Sequence, residues 1–239
     1  MVSSRGCGCS VCLDQYCASK VSIFQHLDDA GLEEISRLIG HISIRKGETV
    51  FLQGDILNCL YIINKGSVKA FTHNREGREQ ILYVLTEGDF FGELSLLKED
   101  TFEFNVMALE DSLLCILSQK DFRTILAESP TVRDQVLVHA FERIKSLEKM
   151  VRVLTNKDVD VRLAVLISNL AAGFGESTDE GTLITLSLSR EDMAAYLGLT
   201  RETVSRRLSS FQSEGILKLQ GNRKVIVRDL DRLKEMIDT

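Results

Sequence analysis

"LSREDMAAYLGLTRETVSRRLSSFQSEGILKLQGNRKVIV" (Leu188–Val227) holds two helical periods, a glycine between them and a strand pair behind them. Ser189 is an N-cap residue, and Asp192 three positions on supports it as a variant of the capping box. Gly198 permits a sharp turn, and Thr200 caps a second helix. On that helix Val204, Leu208 and Phe211 recur at i, i+4 and i+7 and so face inward. At about 100° per residue, Glu202, Arg206 and Ser209 point the opposite way, flanked by Arg201 and Ser205. After Gly215, "ILKLQGNRKVIV" alternates apolar and polar residues around Gly221-Asn222, the pattern of a hairpin. Helix, turn, helix and hairpin make a winged helix. A plain pair of helices with surface charges would not need caps, turn, inward stripe and wing to agree.

The outward residues suit base reading. Arginine donates twice to guanine O6 and N7, and glutamate accepts from cytosine N4. Between Arg201 and Arg228 there are seven Lys/Arg and two Glu, within a chain whose net charge is −6. A basic stripe on an acidic chain is compatible with selective contact to double-stranded DNA.

Upstream the pattern changes twice. A short helical stretch covers Leu27–Ile39. From Ile42 onward short apolar strands are broken at Gly47, Gly54, Gly66, Gly77, Gly88 and Gly92, which points to an antiparallel sandwich or barrel. Then Leu137, Ala140, Ile144, Leu147, Val151 and Leu154 alternate spacings of three and four, a heptad seam between Thr131 and Leu154. Such a seam packs on a copy of itself or on its own domain. A further helix begins near Asp158 and is expected to end at Gly173 and Gly175, with "ESTDEGT" as a loop.

At 239 residues the chain is long enough for two domains with cores of their own. Its 44% apolar and 27% charged residues are those of a soluble protein, and no apolar run suits a membrane span or a signal peptide. A cytoplasmic location is expected, where thiols stay reduced. There, "CGCSVCLDQYC" (7–17) reads as a metal or redox site rather than a disulfide framework. The scattered His26, His41, His73 and His139 are assigned as ligands to nothing, and Cys59 in "NCLYII" reads as a small core residue. No nucleophile–base pair or nucleotide loop points to an enzyme.

A glycine-punctuated β domain, a seam helix and a C-terminal winged helix in this order resemble the CRP/FNR family of bacterial transcription regulators. "GDFFGELSLL" (88–97) is similar to the family's β-roll signature and "RETVSRRL" (201–208) to its recognition helix. The resemblance implies an α+β architecture. A cysteine-rich segment (1–20) precedes a double-stranded β-helix or β-roll sensor domain (21–129). A dimerisation helix (130–155) and a winged helix-turn-helix (156–239) follow. It implies a homodimer that places Ala140, Ile144, Leu147, Val151 and Leu154 at its interface, DNA contacts from Arg201, Glu202, Ser205 and Arg206, and RNA polymerase as a partner through the turn "HNREGREQ" (73–80).

Cyclic-nucleotide members of the family clamp the phosphate with an arginine after the GEL loop, a charge-assisted fork. This chain has no arginine from Glu79 through Phe122, and Phe102 and Glu103 lie near the clamp position. Cyclic nucleotide is therefore not expected as a ligand. The thiols resemble the FNR branch, whose oxygen-responsive members hold a [4Fe–4S] cluster. Cys9, Cys12 and Cys17 match its N-terminal triplet, and Cys115 its distant ligand. Cys7, Cys9 and Cys12 are an alternative triplet. A structural zinc site, a thiol–disulfide switch and a β-roll holding a small organic effector are the rival readings. Glu202, Ser205 and Arg206 match the FNR reading residues, which implies TTGA-type half-sites in a palindrome. Arg201, a CRP-type feature, leaves TGTGA as the alternative. The seam carries no charge, and Leu147 stands where oxygen-gated members place one, so the cluster-free dimer is expected to be more stable here.

Overall fold

The computed structural model describes residues 17–56, 58–93 and 101–238. The chain forms two compact units, Met1–Thr72 with Leu82–Lys145, and His73–Ile81 with Ser146–Thr239.

In the first unit a 3₁₀ turn, Cys17–Lys20, leads to α1 (Asp29–Leu38). The Asp28 carboxylate caps α1 by accepting the Gly31 N–H at 2.9 Å. Among the described residues the strands that follow are β1 (Gly40–Ile44), β2 (Thr49–Phe51), β3 (Cys59–Lys65), β4 (Ser67–His73), β5 (Glu79–Thr86), β6 (Phe90–Phe91), β7 (Asn105–Ala108) and β8 (Ser112–Ser118). They build two four-stranded sheets, β1-β8-β3-β6 and β2-β7-β4-β5. This is the two-layered roll that the glycine punctuation and the resemblance pointed to. Aromatic rings fill its interior. Tyr61 stacks on Phe91 with centroids 5.2 Å apart, Phe51 stacks on Phe102 at 5.3 Å, and Phe104 meets Phe102 edge-on at 4.7 Å. Each such pair contributes about 0.5–1.5 kcal/mol beyond its buried area.

Helix α2 (Gln119–Glu128), capped by Ser118, is followed by the long α3 (Pro130–Thr155). Pro130 opens α3, where its missing N–H costs nothing. Val132 and Val136 are buried in the first unit's core. Helix α3 covers the residues given above to a single helix, and the division between the compact units falls inside it, after Lys145.

The second unit holds α4 (Val159–Phe174), β9 (Gly175–Thr178), β10 (Gly181–Thr185), α5 (Arg190–Leu197), α6 (Arg201–Ser213), β11 (Leu217–Gln220), β12 (Lys224–Val227) and α7 (Leu230–Asp238). Its sheet runs β11-β12-β10-β9. Helix α4 ends where expected, passing Gly173 in its last turn and capped at Gly175. One expectation fails here: "ESTDEGT" is no loop but most of the β9–β10 hairpin. All four β9 residues are exposed, so no alternation marks them as a strand. They are held because β10, paired to β12, offers its other edge. Among the described residues no helix is long and apolar enough to cross a membrane.

Candidate functional site

The turn between α5 and α6 is built as its sequence specifies. The Ser189 hydroxyl accepts the Asp192 N–H at 3.1 Å, and the Asp192 carboxylate accepts the Ser189 N–H at 2.9 Å, a closed capping box. Gly198 adopts φ +64°, a conformation that strains any residue with a Cβ. The Thr200 hydroxyl then accepts the Thr203 N–H at 3.2 Å and starts α6. Val204, Leu208 and Phe211 are buried. Behind them, Arg162 of α4 donates from Nε to the Asn156 carbonyl at 2.6 Å and from Nη1 to the Leu197 carbonyl at 3.1 Å. It satisfies carbonyls at the ends of α3 and α5 that have no helical partner.

Arg201, Glu202 and Arg206 are exposed on α6, and Ser205 is half-buried beside them. The adjacent arginines of "RETVSRRL" part company. Arg206 points into solvent, whereas Arg207 turns back to pair with Asp160 of α4 at 3.2 Å. Asp160 is held above the usual carboxylate range by burial, against the lowering effect of Arg207. One arginine therefore remains available for a groove while its neighbour fixes the helix that carries it. In the wing, the Arg223 guanidinium donates to the Leu186 carbonyl at 3.2 Å, and Lys218 and Arg228 both pair with Glu180.

The thiols are only partly within view. Cys7, Cys9 and Cys12 lie outside the described residues, and so does the side chain of Cys17. Cys115 is fully buried on β8. It sits opposite His41 of β1 and Ile62 of β3, and Ile62 sits opposite Phe90 of β6. Directly opposed residues share a sheet face, so Cys115 and Phe90 lie on one face. It is the face that the His139 ring of α3 covers, 4.0 Å from the Phe90 ring. Burial and the neighbouring Arg143 hold His139 down at about 4, so it is neutral in the fold. Ala18, Val21, Ile23 and Phe24 are buried in the same apolar cluster as Cys115. Lys20 pairs with Glu87, and its carbonyl lies against Gly88. Gly88 and Asp89 are in turn hydrogen-bonded to Ile63, next to Ile62. The chain just after the cysteine segment is thus docked on the sheet that holds Cys115. Among the described residues no three His, Cys, Asp or Glu side chains converge as metal ligands. Cys59, read as a core residue, is half-buried instead, at the edge where β3 begins.

On α3, Ile144, Leu147 and Val151 are exposed, and Ala140 and Leu154 are half-buried. The exposed stripe also includes Leu137, Val138 and Phe141. The reading of the seam passed over Phe141, although its spacing from Leu137 and Ile144 marks it. Phe102 is packed inside the roll, and Glu103 faces solvent. The turn before β5 is closed by Asn74, whose side-chain oxygen accepts the Glu76 and Arg78 N–H groups at 2.9 Å, and leaves Arg75, Glu76 and Arg78 exposed.

Residues 41–129 match the cyclic nucleotide-binding domain family, and residues 161–236 match the Crp-like helix-turn-helix domain family. The chain is 30% identical over 230 residues to the fumarate and nitrate reduction regulatory protein of Escherichia coli K12, an alignment covering 96% of this chain and 91% of that one. The chain belongs to the CRP/FNR family of transcription regulators. Another family member, the anaerobic regulatory protein of Haemophilus influenzae, is 30% identical over 97% of this chain and 90% of its own. Electron transport regulator A of Shewanella oneidensis is 34% identical over 77% of this chain and 73% of its own. Among solved structures, FixK2 from Bradyrhizobium japonicum superposes with a TM-score of 0.75 at 24% identity, over 83% of this chain and 96% of that one. As a CRP/FNR protein the chain is a DNA-binding transcription regulator and not an enzyme. Its helix-turn-helix is the α5–α6 pair, and its cyclic nucleotide-binding-like domain is the roll.

Proposed function

We propose that this regulator responds to oxygen through a [4Fe–4S] cluster held by Cys9, Cys12, Cys17 and Cys115, and acts as a homodimer on palindromic TTGA-type sites. The observation that carries the reading is the docking of Ala18–Phe24 into the apolar cluster of Cys115. It brings the chain that follows the triplet to the sheet of the fourth thiol. The names of the relatives, an anaerobic regulator and fumarate and nitrate reduction regulators, support the same assignment. Four thiolates are the donor set that iron–sulfur clusters take. Bound there, the cluster would supply an oxygen-labile crosslink between the N-terminal segment and β8.

The protein's own residues do the rest. Lys20, Glu87 and Gly88 hold the N-terminal segment on the roll. Phe90 and His139 join the Cys115 face to α3. Leu137, Phe141, Ile144, Leu147 and Val151 offer an apolar stripe to a second copy. Ordering the segment shifts the population toward the DNA-competent dimer. Arg206 pairs with the guanine of TGA and Glu202 with the cytosine opposite, while Arg201 selects between TTGA and TGTGA. The exposed turn 73–80 is the surface offered to RNA polymerase. Cyclic nucleotide plays no part, because the phosphate arm is missing and Phe102 is committed to the roll's interior.

Anaerobic purification with iron and sulfide analysis tests the assignment. The protein should be brown, hold about four irons per chain and bleach in air. Cys115→Ser should lose the cluster and Cys59→Ser keep it. A colourless protein with one tightly held zinc would overturn the reading.

A further inference from the structure

Helix α3 meets the roll through one face, in which Val132, Val136, His139 and Arg143 follow at spacings of four, three and four. The first two are apolar contacts and the third is a ring on a ring, all of which tolerate sliding. Arg143 differs. Its Nη1 donates to Glu93 Oε1 at 3.1 Å, with side-chain exposures of only 15% and 2%. Its guanidinium carbon lies 4.2 Å from the centroid of the Tyr83 ring. The planar group is therefore held by a carboxylate and by a ring face, which fixes position and direction together.

Among the described residues Glu93 has no other side-chain partner to fall back on: its Oε2 is buried without a hydrogen bond. Burial pushes its carboxyl up, and Arg143, with the residue's own backbone N–H, opposes this. A buried carboxylate whose counterion leaves is strongly disfavoured, so the contact is made or broken rather than graded. Arg143 is also the last of these four anchors before Lys145, where the first unit ends. Exposed Ile144 is its neighbour in the chain, and exposed Leu147 stands one turn further on.

We propose that Glu93, Arg143 and Tyr83 form a charge latch that fixes the rotation of α3 on the roll, and so aims the exposed stripe through Ile144 and Leu147. Arg143 acts as a positioning residue for association of two copies. The proposal rests on reading that stripe as the dimer surface.

The test is a set of full-length variants in reduced, iron-free form: Arg143→Met, Arg143→Lys and Glu93→Met/Arg143→Met. Thermal unfolding and self-association by ultracentrifugation are read on each. Arg143→Met should lose stability, and the double variant should recover it by removing the stranded carboxylate. Self-association should weaken about tenfold in both, because neither aims the helix, with Arg143→Lys in between. Where Leu147→Asp weakens self-association and so upholds the dimer surface, self-association that tracks stability across the set, or that never changes, overturns the latch. Leu147→Asp, measured alongside, reads the dimer surface separately. If that surface fails, amide exchange of Phe141–Leu147 decides the latch: exchange faster in the double variant than in wild type supports it, and equal exchange overturns it.

Discussion

A Cβ placed on Gly88 would stand 3.0 Å from the carbonyl oxygen of Lys20. Gly88 also has φ +89°, so an alanine there is strained by its own backbone as well as by its neighbour. Gly88→Ala should cost about 1–2 kcal/mol in urea unfolding and lift the Lys20 segment from the roll. Proteolysis near Lys20 should quicken, and anaerobic iron content should fall. Unchanged cleavage would show that the docking of this segment does not depend on Gly88.

The split between Arg206 and Arg207 predicts two phenotypes from adjacent residues. Arg206→Ala should cost about 1–3 kcal/mol of binding at one guanine and relax specificity there, with stability unchanged. Arg207→Ala should weaken binding to all sites alike and lower the stability of the second unit, because Asp160 loses its partner. Selection from random duplexes separates them. Sites lacking TGA and its inverted TCA would show that α6 is not the reading helix.

Leu147→Asp should weaken self-association, since like charges would meet across a symmetric interface. Sedimentation of an unchanged dimer would place Leu147 outside it.

His139 gives a pH dependence. It is neutral in the fold down to about 4, while an unfolded histidine takes up its proton near 6.5. Between those values the unfolded state binds more protons, so acidification through this window lowers stability. With discount for partial exposure the loss is about 1–2 kcal/mol. His139→Leu removes this contribution and leaves that of Glu93, which has the opposite sense, in both proteins. The fall in midpoint temperature from pH 7 to pH 5 should therefore be smaller in the variant. An equal fall would mean that His139 gains solvent before unfolding.

Calorimetry with cyclic AMP should show no tight binding, and the nucleotide should leave DNA affinity unchanged. Binding at about micromolar strength, roughly −8 kcal/mol, would restore the roll as a nucleotide sensor.

The helix-turn-helix was legible because each of its instructions is local. Ser189 with Asp192, Gly198, Thr200 and the Val204–Leu208–Phe211 period act within one or two turns of themselves. The roll was legible from turn glycines, since the backbone at those points needs positive φ. Strand β9 was not, because its four exposed residues have no inward face, and only the edge of β10 makes them a strand. The Glu93–Arg143 pair joins residues 50 apart, and nothing near either one in the sequence names the other. Cys115 was singled out only by the family resemblance, and its place on the face that His139 covers emerges only from strand register.

Arg207 and the Val204, Leu208 and Phe211 stripe anchor α6, while among the described residues Arg201, Glu202 and Arg206 make no side-chain hydrogen bond or ion pair. On the proposed assignment of base contacts to those three, scaffold and text occupy separate residues of one helix. That assignment lets a lineage, or a designer, rewrite the operator preference there without a compensating change in the core. New specificities are then reachable one substitution at a time through folded intermediates.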